Sequence, residues 1–246
     1  MTILQVSNVS GGYTRKPVIK DLSFTIEEGE LVGLIGLNGA GKSTTIKHII
    51  GTLIQREGEI RLNGVTLKEN IDAYRSSFSY IPETPVLYEE LTLKEHLALT
   101  AMAYKIDEKT LAERSEKLLK EFRMEKRLHW FPSHFSKGMR QKVMIMCAFL
   151  VNPSLYIIDE PFVGLDPLGI QSLLDQMDTK KREGASILMS THILSTAERY
   201  CDRIILLHEG RVRAQGTMDD LRRAFNMPNA TLDDLYIVMT KEQAGE

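Results

Sequence analysis

The chain has 246 residues, 43% of them hydrophobic, enough to bury a sizeable core in one large domain or in one domain with a sub-lobe. Its 31 basic residues against 33 acidic ones leave a formal net charge of −2, which excludes the global positive field of a nucleic-acid binder. Two cysteines exclude a disulfide scaffold: Cys147 lies in an apolar run and Cys201 follows a helix-like segment, as expected of reduced packing residues in a cytosolic protein.

The opening MTILQVSNVSGGY has neither a basic start nor an apolar stretch of signal length, and the later apolar runs fall short of a membrane span. Any membrane role is therefore expected to come through a partner. ILQVSNV and LSFTI are strand-like, and EEGE turns the chain into LVGLI, a short continuous apolar run followed by glycines, as in a strand buried on both faces. GLNGAGKST, Gly36 to Thr44, follows at once and opens the periodic helix KSTTIKHII, which stops at Gly51. This is the setting of a phosphate-binding loop. Its glycines let backbone N–H groups approach phosphate oxygens, Lys42 brings a point charge to the β and γ oxygens, the Ser43 hydroxyl can ligate Mg²⁺, and Thr44 adds a hydrogen bond. EIRLNGVTL alternates around Asn63-Gly64 and reads as a hairpin.

From about Leu91 to Val151 the periodicity is helical, which predicts a helical lobe inserted between two α/β portions. Its last helix begins at FSKGMRQ, Phe135 to Gln141. Taken alone these residues read as a capped core helix with a basic rim, Ser136 being the cap, although Gly138 is a poor helix former. After Asn152-Pro153, LYIIDEP ends a strand in Asp159 with Glu160 at its tip. Two adjacent carboxylates at the edge of a buried strand are unfavourable unless a cation or ligand offsets them. With a phosphate loop upstream, Asp159 reads as holding Mg²⁺ through water and Glu160 as the base that orients and deprotonates the attacking water. A helix near 168–182 with KKR at its solvated end, then SILMST, RIILLH and RVRAQG, complete an alternation of strands and helices that argues a mainly parallel sheet with helices on both faces. TLDDLYIVMTKEQAGE reads as a short helix of unassigned purpose.

In this order and over nearly the whole chain, GLNGAGKST, FSKGMRQ, LYIIDEP, GLDP and STH resemble the motifs of an ATP-binding cassette (ABC) ATPase, in the form of a separate nucleotide-binding subunit of a transporter. GGYT, YIPETPVLYEELTLKEH and STHILSTAERYC resemble the bacterial Ecs-type subfamily, whose ATPase works beneath a separate membrane protein. The resemblance implies a P-loop NTPase (RecA-like) α/β fold in a single cassette domain, 1–246. Its core, 1–83 and 152–225, would hold a mainly parallel sheet and an N-terminal antiparallel β portion, with a helical subdomain at 84–151 and a tail at 226–246.

The same resemblance implies ATP and Mg²⁺ as ligands. ATP would be held by Gly36, Asn38, Gly39, Gly41, Lys42, Ser43 and Thr44, the metal would fall to Ser43, Asp159 and Glu83, and hydrolysis to Glu160 with Lys42 and His192. Ser136 and Gly138 would meet the γ-phosphate of ATP on the opposite subunit, two chains enclosing two ATP molecules in a head-to-tail homodimer. Lys137 and Met139 stand where Gly and a polar residue are commoner. Tyr13 would stack on adenine or, alternatively, pack as an edge-strand residue. Asp166 would link the two sites or simply cap the following helix. Glu83 stands where relatives carry Gln, and it either reports ATP occupancy to the helical lobe or faces solvent ahead of Pro85. The implied partner is an integral membrane transporter subunit, an Ecs-type permease, with no nucleic acid; the implied place is the cytoplasmic face of the cell membrane and the implied direction export.

Other nucleotide-binding classes fit less well. A GTPase needs an Asn-Lys-x-Asp guanine reader, and no Asn-Lys pair occurs in the chain. Translation ABC proteins carry two cassettes, and DNA-repair relatives carry long insertions that are absent. A soluble scaffold-type ABC ATPase is the remaining alternative. The transported substrate is not written in these residues.

Overall fold

In the computed structural model, which describes residues 1–244, the chain opens with β1 (Thr2–Gly11) and β2 (Ile19–Glu27), both alternating buried and exposed side chains. β3 (Leu31–Ile35) is buried at every position and feeds the loop before α1 (Lys42–Ile49). β4 (Glu57–Leu62), α2 (Ile71–Ser76) and β5 (Phe78–Ile81) follow. Three longer helices come next: α3 (Leu93–Ala103), α4 (Glu108–Phe122) and α5 (Lys137–Leu150). The second α/β portion runs through β6 (Leu155–Asp159), α6 (Pro167–Arg182), β7 (Ser186–Thr191), α7 (Leu194–Tyr200), β8 (Arg203–His208) and β9 (Arg211–Gly216). It ends with α8 (Met218–Ala224) and α9 (Leu232–Ala244). Residues 245–246, the last of the C-terminal segment, lie outside the described residues.

The strands form two sheets. β2-β1-β4 is antiparallel, and β5-β6-β7-β3-β8-β9 is parallel except for the β8/β9 pair. Strands buried on both faces need continuous apolar runs, which is what LVGLI, LYIID and SILMST supply. Because β3, β6 and β7 run parallel and in register, Ile35 opposite Thr191 and Asp159 opposite Ser190, the segments that follow them emerge at one edge of the sheet. That edge collects the residues singled out above.

Three apolar clusters hold the layers together. One lies between the central sheet and α3, α4, α5 and α6, a second between the two sheets and α1, and a third joins β3 and β8 to α7, α8 and α9. Helix starts follow their caps: Thr92 with Glu95 forms a capping box at α3, Asp107 caps α4, and Thr217 with Asp220 forms a second box at α8. The expected hairpin at Asn63-Gly64 is only a turn. Leu62 meets Val65 in a single bridge, and there the ladder stops because Thr66 N–H is taken by the Glu69 carboxylate at 2.8 Å; α2 follows in place of a strand. No helix among the described residues is long and apolar enough to cross a membrane.

Candidate active site

The loop from Gly36 to Gly41 turns between β3 and α1 where side chains do not fit. A Cβ on Gly36 would stand 2.4 Å from the Leu207 carbonyl oxygen, and Gly39 and Gly41 adopt φ of 85° and 109°, a region glycine enters without penalty. Lys42, the first residue of α1, is buried; its ammonium donates to the Gly36 carbonyl at 2.7 Å and lies 3.3 Å from Glu160 Oε1. Asn38, Gly39 and Gly41 to Thr44 floor a cleft of about 260 Å³ whose walls include Val18, Leu37, Glu83, Glu160 and His192.

Asp159 and Glu160 are both buried at the C-terminal end of β6, as the motif demands. Glu160 has φ of 46°, uncommon for a residue with a side chain and typical of backbone held in place for a purpose. Two contacts with Ser190 hold it there: the Glu160 N–H donates to the Ser190 carbonyl and lies within reach of the Ser190 hydroxyl, each at 3.2 Å. The turn aims the carboxylate between two donors. Oε2 accepts the His192 Nδ1–H at 2.8 Å and the His192 backbone N–H at 3.3 Å, while Oε1 faces Lys42. Asp159 accepts from the Ser190 hydroxyl and lies 3.5 Å from Ser43 Oγ. Burial pushes its carboxyl above the usual carboxylate range, against the pull of the Ser190 and Ser43 hydroxyls.

A divalent cation fits this donor set. Ser43 and Asp159 offer hard oxygens side by side, and the buried Asp159 charge lacks a cationic partner in hydrogen-bond contact. Among the described residues no group of three or more His, Cys, Asp and Glu side chains forms a cage, so phosphate and water oxygens would have to complete the shell.

The remaining expected residues are placed as follows. Glu83 is exposed at the cleft mouth, so facing solvent and facing the nucleotide are not exclusive; with Asp159 it adds to the effect of burial in raising the Tyr80 phenol. Tyr13 is exposed and is not among the lining residues. Lys47 Nζ donates to its hydroxyl at 3.1 Å, which lowers the phenol, and lies 5.1 Å from the ring centroid. Ser136 caps α5, accepting the Met139 N–H at 3.3 Å, and neither Ser136 nor Gly138 lines the cleft of its own chain. Asp166 caps α6 through the Gly169 N–H at 2.8 Å and pairs with Lys142 at 3.1 Å; although burial pushes its carboxyl up, these bonds hold it below the usual range.

Some functional contacts have no signature in the motifs. A Cβ on Gly138 would stand 2.5 Å from the Gly164 carbonyl oxygen, so within one chain this glycine is already required for the GLDP turn to seat on α5. Gln141 is buried and donates to the Pro82 carbonyl at 3.4 Å, beside Glu83. Arg140 grips Glu89 with two bonds, at 2.6 and 3.2 Å. Ser190 could have been noticed as a hydroxyl inside the apolar SILMST strand. The Gly138, Gln141 and Arg140 contacts join segments far apart in the chain.

Residues 19–163 match the family described as "ABC transporter". The ABC-type transporter ATP-binding protein EcsA of Bacillus subtilis (strain 168) is 65% identical over 245 residues, covering 100% of this chain and 99% of that protein. The SkfA peptide export ATP-binding protein SkfE of the same organism is 34% identical, covering 99% of this chain and 93% of its own length. A solved structure described as an ATP-binding subunit of an ABC transporter superposes with a TM-score of 0.94 at 60% identity, covering 97% of this chain and 99% of that one.

Proposed function

The chain belongs to the ABC transporter family as an ATP-binding, ATP-hydrolysing cassette, and from that premise we propose how its residues carry out hydrolysis and what they drive. Glu160 takes the proton of the water that attacks the γ-phosphorus, and the bond from that phosphorus to the bridging oxygen of ADP breaks. His192 and Lys42 hold the Glu160 carboxylate while Lys42 also meets the β and γ oxygens. The loop amides from Gly39 to Thr44 receive the phosphates, and Tyr13 stacks on adenine. Mg²⁺, when bound, would be held by Ser43, Asp159 and Glu83 and would supply charge neutralisation on the phosphate oxygens. The single observation carrying this reading is the Lys42–Glu160–His192 cluster, buried beside the phosphate loop with contacts of 3.3 and 2.8 Å.

Ser136 and Gly138 act on the ATP of a second copy, so the working unit is a head-to-tail homodimer with Asp166 near the seam. The absence of both signature residues from the cleft of their own chain supports this division. The segment 84–151 serves as the grip for a separate membrane-spanning partner, an Ecs-type permease, which places the subunit on the cytoplasmic face of the membrane; exposed Val86, Tyr88, Met102, Trp130 and Phe131 on that segment support it. Export is the direction favoured by the likeness to SkfE, a peptide export ATP-binding protein.

The deciding experiment is affinity purification of the tagged chain from detergent-solubilised membranes. Co-purification of one integral membrane protein whose presence stimulates ATPase activity is the expected result. Recovery of active subunit from the soluble fraction alone would favour an ATPase working without a membrane partner.

A further inference from the structure

None of the residues of α9 from Leu232 to Lys241 lines the nucleotide cleft, yet the helix touches the phosphate loop. Tyr236 is only 4% exposed, and its hydroxyl accepts the Leu37 backbone N–H at 2.9 Å. Leu37 follows Gly36, where a Cβ would stand 2.4 Å from the Leu207 carbonyl oxygen, and its own carbonyl accepts the Ala40 N–H at 3.0 Å. The first turn of the loop thus abuts β8 at one end and is tethered at the other by a phenol from the C-terminal helix.

The helix is itself anchored. Thr231 and Asp234 exchange hydrogen bonds at its start, and Leu232 N–H donates to Glu198 Oε2 at 3.0 Å, tying it to α7, the helix that follows His192. Arg222 bonds Glu198 Oε1 at 3.3 Å and the Ala230 carbonyl at 2.9 Å, bracing the same corner. Leu232, Leu235, Tyr236 and Met239 bury their side chains in a cluster that includes Ile35, the residue just before the loop.

We propose that Tyr236 is a positioning residue of the phosphate loop. Its hydroxyl sets the course of the backbone at Leu37, and through it the aim of the amides downstream, so that this one hydrogen bond tunes ATP affinity. A loop with glycines at 36, 39 and 41 has wide conformational freedom, and a fixed point at its first turn lowers the ordering cost of gripping a triphosphate. The proposal rests on reading residues 36–44 as the ATP phosphate site.

The test is Tyr236→Phe in the full chain, which keeps the ring and removes one acceptor. ATP binding should weaken to about fivefold higher Kd, the loss of one neutral hydrogen bond. Exchange of the Leu37 amide with deuterium should speed by about tenfold, while the nucleotide-free Tm stays within about 2 °C of wild type. Met239→Ala, which thins the same packing but spares the hydroxyl, should lower Tm with little effect on Kd. Wild-type Kd in Tyr236→Phe overturns the proposal, as does a Kd that merely tracks Tm across both variants. Lys42→Ala separates the premise from the proposal: if it binds ATP normally, the loop reading itself fails; if it loses ATP while Tyr236→Phe binds as wild type, only the role of Tyr236 fails.

Discussion

Glu160 sits in a backbone conformation its side chain disfavours, held by Ser190, with its carboxylate shared between Lys42 and His192. Glu160→Gln keeps that shape and removes the base, so ATP should still bind while turnover slows by roughly 10²-fold or more, as single-turnover kinetics will show. Near-normal turnover would take Glu160 out of the chemistry. Glu83 adds a charge to the cleft lining, tolerable beside a triphosphate only with a cation present. Glu83→Gln should therefore shift the Mg²⁺ dependence of ATPase activity, and an unchanged Mg²⁺ titration would leave Glu83 an ordinary surface residue. His48 supplies a pH dependence away from the site. It is buried against Gly11, Nδ1–H donates to the Leu53 carbonyl at 3.1 Å, and burial pushes its imidazole below the ordinary value of 6.5. In the window below 6.5 the unfolded chain binds a proton that the folded chain refuses, so stability is lost as pH falls through it. Between about pH 7.5 and about pH 5.5 the wild-type Tm should drop further than that of His48→Gln; parallel drops would assign the acid sensitivity elsewhere.

Helix α5 shows one element answering two demands. Its Ser136 cap satisfies the helix start, and its Gly138 admits the Gly164 carbonyl, so the signature turn and the GLDP turn pack directly against each other. Ser136→Ala should cost about 1 kcal/mol of stability, the worth of a cap, and far more in ATPase activity than partial unfolding explains. Mixed with Lys42→Ala subunits it should regain part of that activity, since one of the two interfaces then carries both intact halves; equal loss at every mixing ratio would argue for a site made within one chain. Gly138→Ala must displace backbone rather than a flexible side chain, and a loss of about 1–3 kcal/mol in denaturant unfolding is expected.

At the scale of the molecule, the parallel sheet gathers the phosphate loop, Glu160 and His192 at one edge while α5 presents Ser136 elsewhere on the same chain. On the role proposed for Ser136, the site is completed only by pairing. Glu160→Gln with ATP and Mg²⁺ should accumulate as a dimer in size-exclusion chromatography and return to monomer once ATP is removed; a monomer under all conditions would oppose the head-to-tail arrangement.

The nature of the chemistry was legible from the sequence because its requirements are local. A phosphate loop needs glycines beside a lysine and a buried strand in front of it, and the carboxylate proposed as the base needs a strand to end under it, so GLNGAGKST and LYIIDEP carry these readings within nine and seven residues. The helical lobe and the parallel sheet were legible for the same reason, as periodicities within single segments. The EIRLNGVTL segment misled because its alternation holds up to Leu62, and the Thr66–Glu69 exchange that ends the ladder outweighs the turn signal. Tertiary structure alone decided that Gly138 makes room for Gly164, that Ser190 braces the Asp159 carboxylate and the Glu160 backbone, and that Tyr236 reaches Leu37 from 199 residues away. Such contacts depend on which surfaces the packed layers bring together, and no short stretch of the chain contains that information.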